Sequence, residues 1–309
     1  MVGTPILVSE VGPRDGLQSI KSILPTEQKK RWIDLQVAAG FREIEVGSFV
    51  PAHILPQLAD TAEIVEYARQ IEGLTVAVLV PNVKGAEAAI AAGAHKISLP
   101  LSCSETHSLK NVRRTHEQMI EAATTIAELI KAQPEGNRPH FEGALSTAFG
   151  CTIEGEVPEG KVVELAERLM KAGCDEVGLS DTSGYAHPVQ VKQLIKAVRA
   201  AVGDENLTGL HLHNTRGLGL ANAMAGLELG ITTLDSSLGG VGGCPFAPGA
   251  SGNIVTEDLV FMLEAMGYDT GVDIEKMIEL RKEVAAMLPD EEFYGFLSEA
   301  GPPKGWRGF

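Results

Sequence analysis

The 309-residue chain is 44% hydrophobic and 22% charged, the composition of a globular protein long enough to bury a large core. Its 41 acidic residues against 26 basic ones give a formal net charge of −15 with no basic block, which argues against a nucleic-acid partner. No apolar run approaches the roughly 20 residues that span a bilayer, and Met1-Val2-Gly3-Thr4-Pro5 lacks the basic and apolar regions of a signal peptide, so no membrane partner is expected.

In chain order, apolar β-rich runs at 6–11, 43–48, 75–80, 96–101, 141–146, 176–180, 209–213 and 233–237 read as strands. Helical patterns follow them at 27–39, 61–70, 83–92, 111–132, 161–172, 188–201, 218–229 and 256–266. Gly40, Gly93, Gly173, Gly230 and Gly267 each stand at a helix end, where glycine accepts the left-handed conformation. This strand–helix alternation predicts an α/β protein, a (β/α)8 TIM barrel over about 5–267. No strand is followed by GxGxxG, so a dinucleotide fold is unsupported. An extra helix at 272–288 and an irregular tail at 294–309 form a C-terminal extension over about 268–309. With no long linker, 1–309 reads as one domain. Cys103, Cys151, Cys174 and Cys244 form no CxxC pair, which points to a reducing cytoplasm.

Barrels of this kind carry their active sites at the C-terminal ends of the strands. Polar residues gather there: Arg14, Asp15 and Gln18 after the first strand, Glu45 and Ser48 on the second, and Ser146 and Thr147 on the fifth. Ser180, Asp181 and Thr182 follow on the sixth, His211, His213 and Asn214 on the seventh, and Asp235 on the eighth. His211 and His213 alternate on a strand, so both imidazoles face the same side. With the Asp15 carboxylate and the Asn253 amide oxygen they make a mixed nitrogen and oxygen set. That set suits Mg²⁺, Mn²⁺ or Zn²⁺ with open positions. Arg14, in a Gly/Pro-bounded turn, is placed to stabilise an enolate oxygen. Cys244 sits among six glycines between Gly239 and Gly252, a setting for a reactive thiol brought to a ligand. The other three cysteines read as small buried hydrophobes.

These residues resemble a known family. Glu10-Val11-Gly12-Pro13-Arg14-Asp15-Gly16-Leu17-Gln18, Glu45 with Ser48-Phe49-Val50, Pro81-Asn82 with Gly85, and the His211/His213 pair all match it. So do Gly242-Gly243-Cys244-Pro245-Phe246-Ala247, Ala250-Ser251-Gly252-Asn253 and Thr256-Glu257-Asp258-Leu259. The chain resembles, over nearly its whole length, the 3-hydroxy-3-methylglutaryl-CoA lyases, barrel metallolyases related to isopropylmalate synthase. The resemblance implies a divalent metal, Mg²⁺ or Mn²⁺ before Zn²⁺, on Asp15, His211, His213 and Asn253. It implies catalytic roles for Arg14 (enolate stabilisation), Asp15 (proton acceptor), Glu45, Cys244 (proton donor) and Glu257 (support of the arginine). It implies an acyl-CoA substrate and a homodimer.

The expected reaction is retro-Claisen cleavage of 3-hydroxy-3-methylglutaryl-CoA to acetyl-CoA and acetoacetate, in leucine degradation. The alternatives are citramalyl-CoA, giving pyruvate, a bulkier 3-hydroxyglutaryl-CoA, a Claisen-condensing acyltransferase, and a silent acyl-CoA-binding barrel. The substrate-facing set is read as Gln18, Ser48, Ala144, Gly178, Thr182 and Arg216. Ala144, Gly178 and Arg216 depart from the family, which has tyrosines near the first and last and a serine at the second. Glu142 stands where the family has an arginine.

Overall fold

A computed structural model describes residues 3–241 and 252–306. Eight parallel strands, β1 (Leu7–Glu10), β2 (Glu43–Ser48), β3 (Thr75–Leu79), β4 (Lys96–Ser102), β5 (His140–Ser146), β6 (Glu176–Ser180), β7 (Gly209–His211) and β8 (Thr233–Ser236), pair in sequence order. β8 pairs with β1 and closes the barrel. Helices α1 (Thr26–Ala39), α2 (Thr61–Ala68) and α3 (Val83–Ala92) follow the first three strands.

A short helix that was not expected, α4 (Glu105–Asn111), precedes the helix expected over 111–132, which starts later, as α5 (His116–Lys131). Arg113, at φ 56°, breaks the run, and Thr115 with Gln118 starts α5 through a reciprocal capping box. α6 (Glu159–Ala172), α7 (Pro188–Val202), α8 (Gly219–Leu227) and α9 (Thr256–Ala265) complete the ring. Beyond it, Thr4–Pro5 pairs with Tyr268–Asp269, and α10 (Ile274–Met287) packs on α1. The tail expected to be irregular contains one further helical turn, α11 (Leu297–Ala300), and Trp306 packs on Phe261.

Gly40 caps α1 at φ 109°, and a Cβ there would lie 2.1 Å from the Gly271 carbonyl oxygen. The glycine thus lets the C-terminal extension pass against α1. Alternation along the strands separates two environments. On β4, Ile97, Leu99 and Leu101 are fully buried against the helices, while Lys96, Ser98 and Pro100 line the barrel cavity. On β5, Phe141 and Leu145 face the helices and Glu142, Ala144 and Ser146 line the cavity. The usual barrel interior is packed with branched apolar side chains. Here charged and polar side chains share the lining with apolar ones, and the cavity holds about 960 Å³.

Glu10, fully buried at the end of β1, ties the first turn to the last strand. Its Oε1 accepts from Gly12 N (2.8 Å) and Leu238 N (3.0 Å), and its Oε2 from the Thr256 hydroxyl (2.8 Å). Burial pushes Glu10 up to about 8 from an ordinary 4.5, against the pull of those hydrogen bonds. A carboxyl raised in the folded state favours folding when protonated. The stability present below pH 4.5 is therefore lost as pH rises towards about 8. The metal-free protein is expected to lose thermal stability across that window, and Glu10→Gln to lose less, in a Tm-against-pH series.

Candidate metal and enolate site

After β1 the chain makes a wide π-type turn, Gly12–Gly16, in which the amides of Arg14 and Asp15 both point at the Val11 carbonyl (3.1 and 2.7 Å). Such turns cluster at functional positions because they redirect side chains. This one projects Arg14 and Asp15 into the barrel mouth. Arg14 Nε donates to Glu45 Oε2 and Nη1 to Asp15 Oδ1, both at 2.5 Å. Gln18 Nε2 adds a bond to the same Asp15 oxygen at 3.0 Å. Burial alone would raise the Asp15 carboxyl. Arg14, then the two imidazoles, overcome it and hold Asp15 well below the usual carboxylate range. Glu45 goes the other way: burial, only partly offset by Arg14, lifts it to about 7.

His211 closes β7, and His213 lies one step beyond, where its bridge to Asn253 draws the returning chain alongside. The bridge is braced by Asn214 N to Gly252 O (2.8 Å) and Ile254 N to Leu212 O (3.3 Å). The two Nε2 atoms are 3.1 Å apart, and Asp15 Oδ2 is 3.9 Å from each. His211 Nδ1 is held by Asp235 Oδ2 at 3.0 Å, which turns Nε2 towards the shared centre. The Asp235 bond raises His211 against the effect of burial, whereas burial and the neighbouring His211 push His213 down to about 4. Asn253 Nδ2 donates to Asp15 Oδ2 at 2.7 Å, while its buried Oδ1 has no partner among the described residues. Two convergent imidazole nitrogens, an ionised carboxylate and an orphaned amide oxygen fit a divalent cation by chemistry. Asp15, His211 and His213 each offer a ligand atom within 4.8 Å of the others.

Of the substrate-facing set, Gln18, Ala144, Gly178 and Thr182 line the cavity with Arg14, Asp15, Glu45 and both histidines. Ser48 and Arg216 are not among its lining residues. A bulge between Glu45 and Gly47 sets Ser48 opposite Leu79, and its buried hydroxyl has no partner among the described residues. Arg216 donates to the Ser183 (3.1 Å) and Gly184 (2.9 Å) carbonyls and stacks over Tyr185. The expected support of Arg14 by Glu257 is corrected. Glu257 is fully buried behind the site, accepts from Gly239 N at 2.8 Å and pairs at 2.8 Å with Arg281 Nε, while Arg14 leans on Glu45 and Asp15. Cys244 lies outside the described residues. Cys103, Cys151 and Cys174 are buried free thiols, and burial drives Cys174 up to about 12.

Three features escaped the sequence reading. Asp235 stood out only as a rim residue, although it orients His211. Lys110, Arg113 and Arg114 line the cavity mouth where a single helix was expected. Three basic residues within five, too few to form a basic block, were the available signal. The third is an ionic group deep in the barrel. Lys96 Nζ lies 3.0 Å from both Glu142 Oε2 and Glu176 Oε1 and 3.9 Å from Glu43 Oε1.

The HMGL-like family model matches residues 6–284. The hydroxymethylglutaryl-CoA lyase, mitochondrial, of Macaca fascicularis is 41% identical over 274 residues, 89% of this chain and 83% of its own. The cytoplasmic 3-hydroxy-3-methylglutaryl-CoA lyase of Rattus norvegicus is also 41% identical, over 89% of this chain and 78% of its own. Among solved structures, an HMG-CoA lyase from Acinetobacter baumannii in complex with coenzyme A and 3-methylmalate superposes with a TM-score of 0.89 at 41% identity, covering 99% and 98% of the two chains. The Bacillus subtilis HMG-CoA lyase gives 0.90 at 36% identity over 97% and 99%. The carboxyl transferase domain of Rhizobium etli pyruvate carboxylase, 18% identical with a TM-score of 0.71, shares the fold alone. By family match and relatedness over most of its length, with the barrel and the convergent Asp15, His211 and His213 already in place, the chain belongs to the HMGL-like family.

Proposed function

We infer that the protein is a metal-dependent carbon–carbon lyase that cleaves 3-hydroxy-3-methylglutaryl-CoA to acetyl-CoA and acetoacetate. The observation that carries this reading is Arg14, clamped by Glu45 and Asp15 at 2.5 Å beside the convergent histidines. Asp15, His211, His213 and Asn253 would hold a divalent cation with two nitrogen and two oxygen ligands, Mg²⁺ or Mn²⁺ on the resemblance, with Zn²⁺ the other fit. When bound, the cation supplies Lewis-acid polarisation of the substrate's tertiary hydroxyl.

Loss of the hydroxyl proton lets the carbon–carbon bond break, leaving a ketone and a thioester enolate. Arg14 offers a fixed positive charge to that enolate oxygen. Of its two carboxylate partners, Glu45 is raised by burial above the usual carboxylate range, to about 7, which suits it to a proton-transfer step. Asp15, held far lower, suits charge neutralisation and cation binding better than the proton-acceptor role implied by resemblance. Cys244 is the proposed donor of the proton that quenches the enolate. Lys110, Arg113 and Arg114 place positive charge at the mouth, which suits the phosphates of an acyl-CoA. Glu257 and Arg281 brace the barrel end behind the site.

Among the described residues no helix is long and apolar enough to cross a membrane. The relatives include proteins named mitochondrial and cytoplasmic, and a cytoplasmic location is proposed here from the three free thiols. A homodimer and a place in leucine degradation are proposed on the resemblance.

The reaction type is tested in D₂O. Mass spectrometry is expected to find one solvent deuterium in the methyl group of acetyl-CoA, delivered when the enolate is protonated. Consumption of the substrate by simple thioester hydrolysis, without acetoacetate, would overturn the lyase reading.

A further inference from the structure

We propose that the lower half of the barrel cavity is a recognition pocket for an uncharged hydroxyl-bearing substituent on the substrate's tertiary carbon. The chain then favours a thioester carrying a hydroxyalkyl group there over one carrying a methyl. This rests on the lyase reading and names the substrate class it prefers.

The pocket is built by in-register neighbours. Ala144 and Gly178 stand side by side on β5 and β6, and Ser98 on β4 lies opposite Glu142; the space over Gly178 is taken by the Glu142 carboxylate, so the short Ala144 side chain is what leaves room in the wall. Both small residues line the cavity that also reaches Arg14, Asp15, His211 and His213.

The floor decides what enters. Lys96, Glu142 and Glu176 pair at 3.0 Å, yet 13%, 17% and 14% of their side-chain surfaces stay open inside the closed barrel. The Ser98 hydroxyl donates to Glu142 Oε2 at 3.0 Å. Gly178 is what seats Glu142 in the wall, since a Cβ there would lie 2.2 Å from Glu142 Oε1. A plain alkyl group would strip water from these charges without replacing its hydrogen bonds, which is costly. A hydroxyl replaces the displaced water in kind. Glu142 and Glu176 already pair the Lys96 ammonium, and His140 Nε2 lies 3.1 Å from the same Glu176 oxygen, so the floor leaves no unpaired cation for a carboxylate-bearing substituent.

The test compares 3-hydroxyglutaryl-CoA thioesters with methyl, propyl or 3-hydroxypropyl on the tertiary carbon, using wild-type protein with Mn²⁺. The hydroxypropyl thioester is expected to show a kcat/KM about tenfold above the methyl one, with propyl below hydroxypropyl. Best turnover of the methyl thioester, or propyl equal to hydroxypropyl, overturns the proposal. Ala144→Leu, which fills the pocket, is expected to reverse the order; an unchanged order counts against it. Calorimetry with the uncleavable 3-deoxy analogues separates the pocket from the reaction. Tighter binding of the hydroxypropyl analogue without cleavage of any thioester sinks the lyase reading and keeps the pocket. Tighter binding of the methyl analogue sinks the pocket.

Discussion

Arg14→Met is expected to lower kcat by about 10³-fold, with a much smaller change in KM. Arg14 is only 8% exposed and both short bonds of its guanidinium go to carboxylates, so its position is fixed before substrate arrives. A preorganised charge stabilises the developing enolate without reorganising, and methionine supplies shape without charge. The substitution also removes the partner of two buried carboxylates. Asp15, now low because of Arg14, moves up, and Glu45 rises further from about 7. Arg14→Lys keeps the charge but not the two-pronged hold, and is expected to recover only part of the loss. Steady-state kinetics on variants whose circular dichroism matches wild type is the check. A Met variant with wild-type kcat would remove Arg14 from the chemistry.

His213→Ala is expected to weaken Mn²⁺ binding by more than about 10²-fold, since changes to the outer partners of metal ligands already cost 10- to 100-fold. Calorimetric titration of the chelator-treated protein reads this without reference to turnover. The imidazole is pushed down to about 4, so it is neutral at physiological pH and one ring nitrogen has a lone pair to offer. Asp235→Asn, which alters the group holding His211 Nδ1 at 3.0 Å, is expected to give a smaller loss. Equal affinities in wild type and His213→Ala would place the cation elsewhere.

Strands were legible because apolar and polar residues alternate on them. Lys96-Ile97-Ser98-Leu99-Pro100-Leu101 already separates helix-facing from cavity-facing positions, and glycines mark several helix ends. The site was legible where its residues lie close in sequence: Arg14 with Asp15, and His211 with His213. The late start of α5 was missed because 111–132 carries a continuous helical pattern, and Arg113, with positive φ, lies between α4 and α5. The partner of Glu257 was misassigned because Arg281 stands on a helix outside the barrel, and nothing local marks that pairing. Ser48 was placed at the site by its position at the end of its strand, and Arg216 because it stands where the family has a tyrosine. A bulge in β2 and a cluster of loop carbonyls direct them away from the cavity lining. The ionic floor was visible as scattered charges in strands, but only closure of the barrel brings Lys96, Glu142 and Glu176 together.

The most direct test of the central claim is a metal-restoration assay on 3-hydroxy-3-methylglutaryl-CoA, with acetyl-CoA and acetoacetate quantified together by mass spectrometry. Chelator-stripped protein should be inactive. Mg²⁺ or Mn²⁺ should restore equimolar formation of the two products, with no restoration in His213→Ala. Undiminished turnover after stripping, or no cleavage with any divalent cation, would contradict the assignment of this barrel mouth as a metal-dependent lyase centre.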